Sequence, residues 1–180
     1  MPHPERASID VRDISLLYPG LGELSLGQLP GVQVVVLLRG GDCLPCLQHL
    51  VEVQRAHENP WVGLVLIGFG PADRLADLAR QIGWSDMVLA DPQRLLYRRL
   101  GMGRAPGWRI WTASTFAVRG RALGARQRLT WPDEETRQLG GDAVMFAGTV
   151  TTLWRSRSSG DRPAAAEVHD VARAATKPGW

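Results

Sequence analysis

The stretch Val32-Gln33-Val34-Val35-Val36-Leu37-Leu38-Arg39-Gly40-Gly41-Asp42-Cys43-Leu44-Pro45-Cys46 decides the fold. Val32 to Leu38 is apolar but for Gln33 and rich in β-branched side chains, the pattern of a buried strand. Gly40-Gly41 breaks it. The spacing after the glycines predicts a helix from about Asp42 or Cys43 to about His57, with Leu47, Leu50 and Val51 facing inward and Asn59-Pro60 ending it. The two cysteines are therefore expected where a strand hands over to a helix.

Moving outward, Val62 to Ile67 reads as the next strand, and Gly68-Phe69-Gly70-Pro71 turns the chain into a second helix. Leu75, Leu78, Ala79 and Ile82 recur at helical spacing on one face, and Gly83 suits the C-terminal cap. Met87 to Ala90 is a short strand. Asp91-Pro92 offers an N-cap followed by proline in the first helical position, with Leu95, Leu96 and Leu100 as the buried side. Ala143 to Ala147 and Val150 to Trp154 read as two strands around a tight turn at Gly148. A last helix is expected to be capped by Asp161, entered through Pro163, and buried through Val168, Val171 and Ala175. Residues 1–30 look like a polar lead-in, 31–176 like one domain with an insertion at 102–139, and 177–180 like a tail. Strands alternating with helices, then a hairpin and a helix, imply an α/β fold: a mixed sheet flanked by helices. A Cys-x-x-Cys opening the first helix is where a thioredoxin-like fold carries its active site. The expected class is thus a thioredoxin-like mixed sheet with a basic insertion before the final β-hairpin and helix.

Composition agrees with a globular chain. Of 180 residues, 44% are hydrophobic and 22% charged, which excludes a mostly disordered protein. No repeat at solenoid spacing is visible. The longest apolar run, Val34 to Leu38, is too short for a membrane span. The first twenty residues lack the apolar centre of a signal peptide, so a cytoplasmic location is expected. The net charge is +3, but nine arginines and no acid lie between Pro92 and Pro132: Arg94, Arg98, Arg99, Arg104, Arg109, Arg119, Arg121, Arg126 and Arg128. Interleaved with Trp108, Trp111 and Trp131, this segment has the composition of an anion- or nucleic-acid-binding surface, or of a solvated basic lobe.

Cys43 and Cys46 are the only cysteines. A thiol reacts as its thiolate, and a helix start supplies free N–H groups and a positive dipole end that favour one at Cys43. Cys46 lies one turn further in, which makes Cys43 the candidate nucleophile and Cys46 the candidate resolving thiol. Residues i and i+3 at a helix start also fall within the roughly 4.4–6.8 Å Cα separation of disulfides. Asp42 would raise the Cys43 pKa if it pointed that way, or would cap the helix. Zinc needs about four ligands. Only His3, His49, His57 and His169 could join the cysteines; His49, three residues after Cys46, could reach on a helix, but a fourth ligand is not evident, so no metal and no cofactor is expected. Two inert buried cysteines are the remaining alternative. His49 reads as a half-buried surface histidine and His57 as a favourable cation near a helix end. Neither is taken as catalytic.

The run VVVLLRGGDCLPC at 34–46, the segment LADPQRLLYRRLG at 89–101, QLGG at 138–141 and GDRP at 160–163 resemble, in this order, the peroxiredoxin-like 2 family. That family comprises relatives of the alkyl hydroperoxide reductase/thiol-specific antioxidant proteins. The resemblance spans about residues 31–175, basic insertion included. It implies that Cys43 and Cys46 are the redox pair, with Asp42 and Pro45 around them. It also implies that Gln138, Gly140 and Gly141 lie beside them, where thioredoxins carry a cis-proline loop and where glycine permits close approach. In two places the chain departs from its wider relatives. Val36 and Gly40 stand where peroxiredoxins carry proline and threonine ahead of the cysteine. Asp42 and Gly141 stand near the tryptophan and cis-proline of thioredoxins.

These readings lead to a thiol-dependent oxidoreductase cycling a Cys43/Cys46 dithiol and disulfide. The oxidised substrate is small, a peroxide, or else a protein disulfide, and the reductant is thioredoxin or a low-molecular-weight thiol. The alternative is a redox-sensing module that engages an anionic partner or nucleic acid through the arginine-rich 92–132 segment.

Overall fold

A computed structural model describes residues 1–39, 43–104, 137–158 and 160–176. In chain order the strands are β1 (Glu5–Asp10), β2 (Ser15–Tyr18), β3 (Gly22–Ser25), β4 (Val32–Leu37), β5 (Val62–Gly68), β6 (Met87–Ala90), β7 (Gly141–Phe146) and β8 (Thr149–Arg155). The helices are α1 (Leu44–Arg55), α2 (Ala72–Gln81), α3 (Leu95–Arg99) and, last, α4 (Ala165–Ala175). One mixed sheet runs in the order β1-β8-β7-β4-β5-β6-β2-β3. β4 pairs in parallel with β5, and β5 with β6, while β7 lies antiparallel to β4, with Leu37 opposite Gly141.

The central strand β4 is buried along its whole length, and alternate residues serve the two faces. Val35 and Leu37 join Val65, Ile67, Leu89, Leu96, Tyr97 and Leu100 on one side. Val34 and Val36 join Leu64, Leu66, Cys46, Leu50, Leu75, Trp154 and Val168 on the other, beneath α1, α2 and α4. A crossover from β4 through α1 to β5 places the start of α1 at the carboxyl end of the central strand.

The structure corrects several boundaries. Residues 1–30 are not a lead-in, because β1 pairs with β8 and the β2–β3 hairpin pairs with β6. Val11, Ile14, Leu16, Leu26 and Leu29 enter the core from this segment. Its strands are short and at the sheet edges, with polar residues on the solvent side, which is why they read as polar chain. The inner face of α1 is Cys46, His49, Leu50 and Val53, with Leu47 and Val51 only half-buried. The third helix starts at Leu95, not at Pro92, and Leu95 is exposed whereas Tyr97 is buried. Asp91 still serves that helix from outside, its carboxylate accepting the N–H groups of Leu95 at 2.8 Å and Leu96 at 2.9 Å. Asp161 does not cap the last helix. Ala164 occupies that position, and Asp161 accepts the Arg157 N–H at 3.0 Å. The hairpin turn is as expected, with Ala147 and Gly148 both at positive φ (47° and 75°).

Candidate active site

Cys43 is the residue that precedes the first turn of α1. Its carbonyl accepts the N–H of Cys46 at 2.9 Å and of Leu47 at 3.0 Å, while its side chain makes no capping bond. Pro45 sits exposed in the first turn, where a missing N–H costs nothing. Cys43 and Cys46 form a disulfide with Cα atoms 5.2 Å apart. The pair is asymmetric: Cys43 is half-buried, whereas Cys46 is 1% exposed and packed with Leu50 and Trp154. Asp42, Gly40 and Gly41 lie outside the described residues. Val36 is a fully buried residue inside β4.

Gly140 and Gly141 lie at this same end of the sheet. A Cβ on Gly140 would fall 2.2 Å from the Leu37 carbonyl and 3.2 Å from the Arg39 nitrogen, on the chain that leaves β4 toward Cys43. One on Gly141 would fall 2.3 Å from the Trp154 carbonyl. Both positions therefore require glycine for backbone approach. Among the described residues there is no cis peptide bond. Gln138 is buried, and its amide donates to the carbonyls of Leu139 at 3.0 Å and of Met102 and Gly103, each at 3.3 Å. It ties the two ends of the 102–139 segment together. The Tyr97 hydroxyl donates to the Leu38 carbonyl at 2.6 Å and lies 3.1 Å from that of Ile67, fixing the exit of β4 from below.

Sequence reasoning missed one cluster. His49 is no surface residue: it is 4% exposed, and its Nε2 meets Asp142 Oδ1 at 2.7 Å. Asp142, wholly buried on β7, accepts from Arg162 Nη1 at 3.0 Å through its other oxygen. Arg162 also donates to the Gly141 carbonyl at 2.7 Å and the Leu37 carbonyl at 2.8 Å. Its guanidinium thus joins the ends of β4 and β7, and through Asp142 it reaches the cysteine helix. Burial pushes the Asp142 carboxyl up, but the Arg162 charge and the His49 contact outweigh it and hold it below the usual carboxylate range. The signal in the sequence was a histidine three residues after Cys46, one acid in an otherwise apolar strand, and the arginine of GDRP.

Among the described residues, no three or more histidine, cysteine or acidic side chains gather in a metal-binding group. The arginines from Arg109 to Arg128 lie outside the described residues. Of those described, Arg99 pairs with Asp13 at 2.8 Å and Arg94 stands over the Phe69 ring at 4.8 Å. These two serve the fold, and nothing here supports an anionic partner. Among the described residues, no helix is long and apolar enough to cross a membrane.

Residues 49–160 match the family model of the AhpC/TSA antioxidant enzyme. No curated protein sequence matches the chain. Among solved structures, a Xanthomonas campestris peroxiredoxin Q mutant superposes with a TM-score of 0.61 at 11% identity, covering 91% of this chain and 90% of that one. The peroxidoxin BcpB of Mycobacterium tuberculosis gives 0.59 at 13% identity, covering 98% and 96%. A secreted M. tuberculosis disulfide oxidoreductase gives 0.54 at 12% identity, covering 89% and 95%. These likenesses show a thioredoxin-like fold. The family match covers more than half of the chain and implies a thiol reductant and a peroxide substrate. The chain belongs to the AhpC/TSA antioxidant enzyme family and is a thiol-dependent oxidoreductase.

Proposed function

We propose that Cys43 is the peroxide-reactive thiol and Cys46 its resolving partner, supplied with electrons by thioredoxin or a low-molecular-weight thiol in the cytoplasm. One observation carries this reading: a disulfide across the start of α1 that joins a half-buried Cys43 to a Cys46 in the core. The helix start stabilises a thiolate at Cys43 through its free N–H groups and dipole. That thiolate attacks a peroxide oxygen, the O–O bond breaks, the alcohol or water leaves with a proton, and Cys43 becomes a sulfenic acid. The Cys46 sulfur then attacks the Cys43 sulfur. The S–O bond breaks, water departs, and the disulfide forms. A dithiol reductant returns two electrons and two protons. Gln138, Gly140 and Gly141 frame the site as backbone supports, and Asp42 and Pro45 flank the nucleophile.

The test is stopped-flow mixing of the reduced protein with hydrogen peroxide, followed by the fluorescence of its seven tryptophans. The expected result is a change whose rate rises with peroxide concentration and which disappears in Cys43→Ser. An identical trace in Cys43→Ser overturns the assignment.

A further inference from the structure

Cys46 has to give up a proton before it can attack, and it does so inside the core, 1% exposed. Burial raises a thiol pKa, so the resolving step needs a nearby group to take that proton. One exists. His49 follows Cys46 by three residues on α1, and residues at this spacing sit about 5–6 Å apart at Cβ on the same face. Both belong to the inner face of α1, and His49 is itself 4% exposed. The Nε2 of His49 is held by Asp142, which fixes the ring orientation. Arg162 holds Asp142 in turn.

Among the described residues, several other titratable and charged groups lie around this face. From β7 comes Asp142, and from the segment before α4 comes Arg162. From α4 itself, Glu167 accepts from the Trp154 indole at 3.3 Å, and His169 Nε2 contacts the Val53 carbonyl at 2.8 Å, a turn beyond His49. His57 lies with its ring 5.6 Å from that of His169. None of these stands between Cys46 and His49 along the helix.

We propose that His49 is the proton acceptor for Cys46, with Asp142 and Arg162 as the positioning residues that hold and polarise it. This rests on Cys46 being the resolving thiol. His49 takes the Cys46 proton, the thiolate attacks the Cys43 sulfenic acid, and the hydroxide released from sulfur recovers a proton from the imidazolium as water. Atoms and charge balance, and His49 returns to its neutral form.

The Cys43→Ser protein contains Cys46 as its single thiol, so its thiolate absorbance near 240 nm reports that group alone. This titration needs no peroxide turnover, so its failure is separate from failure of the peroxide assay. Adding His49→Gln to that background should raise the Cys46 midpoint by about one pH unit, a tenfold loss of thiolate at a fixed lower pH. Val53→Ala, two turns beyond Cys46 on the same helix face, loosens packing without touching the relay and should leave the midpoint in place. An unchanged midpoint in His49→Gln, or an equal shift in Val53→Ala, overturns the proposal. Linkage is reciprocal, so Cys46→Ser in the Cys43→Ser background should move the His49 ring titration seen by NMR. That experiment stands even if His49→Gln fails to fold, and an unmoved His49 overturns the proposal. In the otherwise unaltered protein, His49→Gln should slow disulfide formation about tenfold or more while the first, Cys43-dependent phase persists.

Discussion

A single methyl group at Gly140 would collide with the Leu37 carbonyl at 2.2 Å and with Arg162 Nη2 at 2.8 Å. Gly140→Ala is therefore expected to cost about 2 kcal/mol or more, read as a drop in the urea midpoint, because the neighbour is backbone and cannot step aside. Arg162→Ala is more severe. It removes the only guanidinium joining Leu37, Gly141 and Asp142 among the described contacts and leaves a buried carboxylate without that charge. A loss of about 3–5 kcal/mol in chemical denaturation is expected. The Asp142 pKa is depressed in the folded state, so its contribution is present above the ordinary carboxylate range and is lost as pH falls through the folded value. At this scale the redox pair was legible, because Cys-x-x-Cys carries its chemistry in its own spacing. The role of His49 was not. A lone histidine on a helix reads the same whether it faces water or an acid 93 residues away in sequence.

At the scale of elements, the joint between α1 and α4 carries a pH dependence. His169 is pushed below its ordinary 6.5 mainly by burial, and it contacts the Val53 carbonyl of α1. Its neutral form is the one the fold accepts. Stability from this group is intact above about pH 6.5 and falls as pH drops from there toward the lower folded value. Thermal midpoints between pH 7.5 and 5.5 should fall, and His169→Gln should flatten part of that slope. An unaltered slope in His169→Gln would place the effect elsewhere. The strands from Val32 onward were readable because β-branched runs and glycine punctuation are local signals. The start of α3 was not, because Asp91 caps it across an intervening turn: its carboxylate reaches N–H groups four and five residues on. Proline after an N-cap residue imitates a helix entry without being one. The inner face of α1 was displaced for a similar reason, since a buried polar residue, His49, occupies a position that periodicity assigns to apolar side chains.

At the scale of the whole molecule, the sheet is extended at both edges by chain from the first thirty residues. β1 covers β8, and the β2–β3 hairpin covers β6. Arg99 of α3 ties into this segment through the Asp10 carbonyl at 2.7 Å and the Asp13 carboxylate. Deleting residues 1–30 should therefore yield aggregated or unfolded protein in place of a trimmed domain, because two strand edges and five core side chains go with it. A folded, monomeric truncation by circular dichroism and gel filtration would contradict this. The edge strands escaped the sequence reading because β1 pairs with β8 more than a hundred residues on, the β2–β3 hairpin joins the sheet only through the distant β6, and their own patterns are half polar. The same architecture puts the start of α1, the end of β4 and the beginning of β7 at one end of the sheet, which is what turns two nearby cysteines into a site. The most direct measurement is to treat reduced Cys46→Ser with one equivalent of hydrogen peroxide in the presence of dimedone and map the adduct by mass spectrometry. With no resolving thiol, one adduct per chain is expected, on Cys43. No adduct at Cys43, in protein whose thiol is shown to be reduced beforehand, would contradict it.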